Sequence, residues 1–150
     1  MVFIDAAKSY LDIPSFGFDF AADETNTKAL RFWGEEVDSL SRSAEEWVST
    51  LDGRWGWLNP PYANIGQWAK RCAEVATLGG KIAFLVPAGV GANWYRDYVH
   101  DAYTHTLFLN GRIPFMPDKP TWLYPKDCIL VLYARGYQGN NVWSWRKWPA

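Results

Sequence analysis

The sequence predicts an α/β fold, a mostly parallel sheet with an antiparallel last strand, on three observations. Short apolar runs alternate with amphipathic segments of helical period from residue 16 to residue 133. An Asn-Pro-Pro-Tyr turn, residues 59–62, sits where one apolar run gives way to a helical pattern. The last two runs, His105–Leu109 and Cys128–Tyr133, are separated only by the proline-rich Gly111–Asp127. A parallel crossover needs a helix or a comparable span, so these two strands are expected to be antiparallel neighbours.

Each element follows from its local pattern. Phe16–Ala22 (FGFDFAA) reads as a buried strand ending in a tight turn. Asp23 or Thr25 is expected to cap a helix running through Trp33, with Gly34 as its stop. Ser41 is expected to cap a second helix carrying Leu40, Ala44, Trp47, Val48 and Leu51 on one face. Arg54–Leu58 is a brief strand leading into Asn59. Asn64, with Gln67 three residues on, resembles a capping box, and Ile65, Trp68, Ala69, Cys72 and Val75 form the stripe of its helix up to Gly79-Gly80. Lys81–Val86 is a central strand closed by Pro87, and Asn93 opens a helix with Trp94, Tyr95, Tyr98, Val99 and Ala102 along one side. The tail Trp143–Trp148 reads either as a docked terminal strand or as a nucleic-acid contact.

The 150 residues, 49% hydrophobic and 21% charged, suit one globular domain spanning 1–150. Apolar stretches fall short of the roughly 18 residues a membrane span needs, and no signal peptide is visible at Met1, so a cytoplasmic protein is expected. Cys72 and Cys128 read as core residues, and His100 and His105 lack metal-ligand spacing, so no metal site is expected. Ten Trp, eight Tyr and eight Phe exceed what a core of this size can hide, which points to an aromatic cleft for something flat. The net charge of -1 conceals polarity: residues 1–52 hold eleven acidic and four basic side chains, residues 53–150 five and eleven. Such a chain can present a basic face to a polyanion, although interleaved surface charge gives the same count.

The turn at 59–62 carries the chemistry. It is placed at the carboxyl edge of the sheet, where open α/β folds bind ligands. Pro60 and Pro61 lack an N–H and fix φ, so the turn is stiff and its carbonyls are free of local amide partners. The Asn59 side-chain oxygen and the Pro60 carbonyl can each accept one hydrogen of an exocyclic amine, favouring a pyramidal nitrogen with its lone pair aimed at an electrophile. Tyr62 is expected to stack on the ring that bears the amine. Stacking needs the ring and not its hydroxyl, so Tyr62→Phe is expected to be mild.

Pro-Pro-aromatic preceded by Asn or Asp is the signature of amino-methyltransferases. Taken in order, Phe18-Asp19-Phe20-Ala21-Ala22, Asn26, Asn59–Tyr62, Leu85-Val86-Pro87-Ala88, and Gly111-Arg112-Ile113 with Phe115 resemble the phage and prophage DNA N6-adenine methyltransferase family. The resemblance covers about residues 16 to 134 and implies a Rossmann-like methyltransferase, with S-adenosylmethionine as donor and adenine in DNA as acceptor. It implies an adenine-specific enzyme acting in a bacterial host cell, phage or prophage encoded. Two departures are visible: no Thr-Pro pair occurs near Ala6–Pro14, and Ala21-Ala22 replaces the Gly-rich donor loop of larger methyltransferases. By the resemblance Asp19 belongs to the donor site, with Ala21 and Ala22 letting the ligand approach the chain, while a turn-capping Asp19 remains the other reading. Asp38 is a candidate for the donor's ribose or adenine, or an ordinary surface carboxylate.

Gly111–Asp127 leaves a strand at its carboxyl end and is expected to overhang the same edge as Asn59. Arg112, Lys119 and Lys126 offer cations for phosphates, and Trp122 and Tyr124 offer rings for bases. The alternative is a stiff loop with its aromatics packed beneath it, as expected for Phe115. N4-cytosine and protein-glutamine methylation share the motif, and a non-catalytic nucleic-acid-binding protein can keep the fold.

Overall fold

The computed structural model describes residues 3–116, 118–119 and 121–146. Met1 and the end of the tail, Lys147 and Trp148, lie outside them. Six strands form one sheet: β1 (Phe18–Asp19), β2 (Trp55–Leu58), β3 (Lys81–Pro87), β4 (Thr104–Asn110), β5 (Cys128–Tyr133) and β6 (Asn140–Ser144). Their order is β1-β2-β3-β5-β4-β6. The pairs β1–β2, β2–β3 and β4–β6 are parallel, and β5 runs antiparallel to both β3 and β4. The expected antiparallel neighbours are therefore present. Two details differ from the sequence reading: β5 is wedged between β3 and β4, and it is not the last strand. The tail continues into β6, the docked-strand alternative, with Trp145 buried behind it.

Both faces of the sheet are covered, so the central strands read as continuous apolar runs. Ile82, Phe84 and Val86 of β3 face one cluster with α2 (Ala44–Leu51) and α3 (Ile65–Thr77). Ala83 and Leu85 face a second cluster with α1 (Phe3–Leu11), whose Phe3, Ala6 and Ala7 are buried against Trp57 and Trp145. Gly56 in β2 permits the first cluster to close: a Cβ there would come within 2.7 Å of Leu51 and Phe20 side chains. The cysteines are free and buried, as expected of core residues.

Four local expectations are corrected. Residues 23–33 form no helix. The Asp23 carboxylate accepts the amides of Thr25 and Asn26 and the Thr25 hydroxyl, which closes a turn, and Phe32 then bridges Asp19 in parallel. Helix α2 is capped by Ser43, which accepts the Glu46 amide, and not by Ser41, whose hydroxyl donates to the Asp38 carbonyl. Asn64 makes no side-chain cap bond, because the prolines lead through a 3-10 turn, Tyr62–Asn64, directly into α3. The helix opened by Asn93 is α4 (Asn93–Tyr95), which widens to a π turn over Arg96–His100. Helix α1, absent from the sequence reading, spans Phe3–Leu11 and so covers the first part of the Ala6–Pro14 region.

Among the described residues no helix is long and apolar enough to cross a membrane, and no cluster of ligating side chains can hold a metal.

Candidate active site

The strands β1, β2, β3 and β4 all point their carboxyl ends to one edge, and Asn59 follows β2 directly at that edge. There a cavity of about 480 Å³ is lined by Asp19, Ala21, Asn26, Lys28, Trp57, Asn59, Pro60, Pro61, Tyr62 and Phe115. A second cavity of about 330 Å³ adjoins it, sharing Ala21, Asn26 and Pro61. Aromatic Phe20, Trp33 and Trp68 wall this second space, and Glu35, Asp38 and Ala22 also line it. A larger depression of about 730 Å³ lies beside the end of α3 and Tyr103, at the amino edge of the parallel strands. It carries side chains of both charges and no turn of fixed carbonyls, and α/β sheets bind ligands at the opposite edge.

Within the first cavity the motif is ordered by one bond that the sequence reading did not contain. The Tyr62 hydroxyl donates to the Asn59 side-chain oxygen at 2.7 Å. Burial pushes the Tyr62 pKa well above its ordinary value, so the hydroxyl stays protonated and remains a donor. In this arrangement the Asn59 amide faces Tyr62 through its oxygen. The bond leaves one lone pair of that oxygen for an incoming amine hydrogen. Pro60 is buried and Pro61 is held at φ −55°, ψ 141°, so the backbone of the turn is as stiff as its composition predicts.

Asp19 is 2% exposed, and its hydrogen bonds bear out the turn-capping reading. Its carboxylate accepts the amides of Ala21 at 3.2 Å and Lys28 at 2.9 Å, a turn-capping role. It also lines the first cavity. Burial raises its pKa above the usual carboxylate value, outweighing the lowering by those two amides. Asp38 stands in the left-handed region, φ 54°, before a 3-10 turn, and lines the second cavity.

The Gly111–Asp127 segment divides into two parts. Phe115 lines the first cavity, and its ring meets Tyr124 edge-on at 5.4 Å, while Tyr124 meets Tyr62 at 5.9 Å. Three aromatics thus join the segment to the Asn59–Tyr62 turn. Arg112, 3.5 Å from Asp127, and the exposed Lys119, Lys126 and Trp122 are not among the described lining residues of either cavity. Trp57, Trp33 and Trp68 line the cavities without having been singled out. Only the excess of tryptophans signalled them, because a helical or strand stripe does not say which of its rings ends at a cavity.

An amide oxygen and a proline-fixed turn at the carboxyl edge of an α/β sheet, beside an aromatic-walled space, define an α/β protein with a ligand site where open sheets of this kind bind ligands. The comparisons give the family. The chain belongs to the DNA N-6-adenine-methyltransferase (Dam) family, whose model matches residues 2–138. It is also similar to a DNA N-6-adenine-methyltransferase of Haemophilus phage HP1 (strain HP1c1). The two are 31% identical over 131 residues, which span 85% of this chain and 71% of the relative.

Proposed function

We propose that this protein is a Rossmann-like, single-domain methyltransferase that transfers a methyl group from S-adenosylmethionine to the exocyclic N6 amine of adenine in DNA, in the cytoplasm of a bacterial host. The observation that carries the reading is the position of the Asn59 oxygen. It is held by Tyr62 in a cavity at the carboxyl edge that opens onto a second, aromatic-walled one. Family membership supports adenine as the acceptor.

The residues present fit the donor. Phe20, Trp33 and Trp68 suit a flat purine, and the carboxylates of Glu35 and Asp38 suit a ribose diol beside it. Asp19, at the other end and close to Asn59, suits an ammonium group. Ala21, common to both cavities, has no bulk to obstruct a ligand crossing between them. S-adenosylmethionine, when bound, supplies an electrophilic methyl group whose carbon–sulfur bond breaks with its electron pair kept by sulfur.

The chain's own part is positioning. An exocyclic amine on a purine is a poor nucleophile because its lone pair is delocalised into the ring. Asn59 Oδ1 and the Pro60 carbonyl accept its two hydrogens, which draws the lone pair out of the ring plane and toward the methyl carbon. The new carbon–nitrogen bond forms from that lone pair, and the nitrogen releases one proton to solvent. Tyr62 orients the Asn59 amide through its hydroxyl and offers its ring to the base, while Phe115 and Trp57 line the same space.

The test is incubation with methyl-labelled donor and DNA, followed by digestion and nucleoside analysis. Label in N6-methyl-2′-deoxyadenosine is expected. Label in N4-methylcytosine moves the acceptor, label on protein moves the substrate class, and no label in any fraction removes the enzyme reading.

A further inference from the structure

Leu30 is the most exposed large hydrophobic residue among those described, at 101% of its reference area, yet its backbone neighbourhood is firmly tied down. The carbonyl of Arg31 accepts the Asp19 amide at 3.0 Å, and the amide of Lys28 donates to the buried Asp19 carboxylate at 2.9 Å. Thr27 closes a small loop by donating to the Ala29 carbonyl at 2.6 Å, and Ala29 is half-buried against the α1 side of the core. The Arg31 guanidinium lies 5.5 Å from the centre of the Phe18 ring. A loop tied at residues 27, 28, 29 and 31 that leaves a leucine wholly in water is a rigid projection of apolar surface.

Its surroundings say what it meets. Lys28 lines the cavity that holds Asn59, and Leu30 is two residues on, so at most about 7 Å of chain separates it from the wall of that cavity. Only four basic residues occur in the acidic first 52, and two of them, Lys28 and Arg31, flank Leu30. Asp23, at the start of the loop, is engaged by Thr25 and Asn26. Cations on either side of an exposed aliphatic side chain suit a duplex, with phosphates outside and a stacked apolar interior between them.

We propose that Leu30 is a wedge that enters the DNA duplex beside the target adenine and occupies the space left in the stack when that base swings into the cavity, with Lys28 and Arg31 on the flanking phosphates. This rests on the DNA-adenine reading of the site. An adenine paired in a duplex cannot offer its amine to Asn59, and unstacking it costs a few kcal/mol. An aliphatic side chain filling the vacated step offsets part of that cost, as apolar wedges do in minor-groove proteins.

The experiment compares kcat/KM of wild type and Leu30→Ala on two duplexes of one sequence. In one the mapped target adenine is paired, and in the other it faces an abasic site. The wedge predicts a loss of about ten-fold on the paired duplex, shrinking to within about three-fold on the abasic one, where little pairing remains to break. Affinity for S-adenosylmethionine, measured by calorimetry, is expected to match wild type and shows that the variant is folded. Equal losses on both duplexes make Leu30 an ordinary contact and overturn the wedge, as does no loss on either. A wild type that methylates neither duplex overturns the DNA-adenine reading itself, and the two failures are thereby told apart.

Discussion

Two loops rise from the carboxyl edge on either side of Asn59, and different chemistry holds them. The loop after β1, residues 20–33, is fastened by polar groups. Asp19 binds it through its carboxylate and through both backbone groups, to Ala21 and Lys28 and to Arg31 and Trp33. The loop before β5, residues 111–127, is joined to the turn by rings, Phe115 against Tyr124 and Tyr124 against Tyr62, and is closed on itself by the Tyr124 amide on the Ile113 carbonyl, with the exposed Lys119 and Lys126 further out. Directional bonds to one buried carboxylate fix a side chain's place closely. Edge-on ring contacts of about 5 to 6 Å hold a loop near the site and tolerate sliding. On the DNA reading proposed above, the first loop carries a single point of insertion and the second carries contacts to phosphates.

The largest effect is expected at the turn between them. Asn59→Ala should lower methyl transfer about 100-fold or more while donor affinity stays within a few-fold, because the lost acceptor acts mainly in the transition state. Near-wild-type turnover would reduce Asn59–Tyr62 to a structural turn, and neither loop would then frame an active site.

Next is Tyr62→Phe. The sequence reading expects a mild effect, since the ring is kept. The bond from the hydroxyl to Asn59 raises the expectation to a loss in kcat of about ten-fold, with KM for the donor little changed. Single-turnover kinetics separates the two. An unchanged rate would leave the ring as the whole of Tyr62's contribution.

The two loops part company under salt. Replacing Lys119 and Lys126 together by Ala should weaken DNA binding and flatten the slope of log K against log salt by roughly two units. Paired and abasic duplexes should be affected alike, in contrast to Leu30→Ala, because phosphate contacts do not register the state of a base. A slope equal to wild type would take the second loop off the DNA.

The smallest effect belongs to the carboxylate that ties the first loop. Burial raises the Asp19 pKa above the ordinary aspartate value of 3.8, so the folded protein holds that proton more tightly than the unfolded chain does. Wild-type stability relative to Asp19→Asn should therefore fall as pH rises from about 3.8 to the folded pKa, and be flat above it. Denaturant titrations across that window measure the difference. A difference that grows with pH would mean that the amides of Ala21 and Lys28 outweigh burial.

Sequence alone determined the alternation of strands and helices, the antiparallel pairing of β4 with β5, and the place of Asn59 at a strand's carboxyl end. Each depends on side chains close together in the chain: the period of apolar residues, two prolines, a connection too short for a crossover. The expected helix at 23–33 was lost because Asp19 and Asp23 offered the backbone other partners, a competition that helix periodicity does not register. The order β3-β5-β4, the hydroxyl of Tyr62 on Asn59, the rings of Trp33 and Trp68 at one cavity and the outward turn of Leu30 were decided only in the folded chain. They join or separate groups that lie apart in the chain or, for Tyr62 and Leu30, depend on backbone direction. Packing and desolvation act on groups brought together in space, and local residue pattern does not specify which those will be.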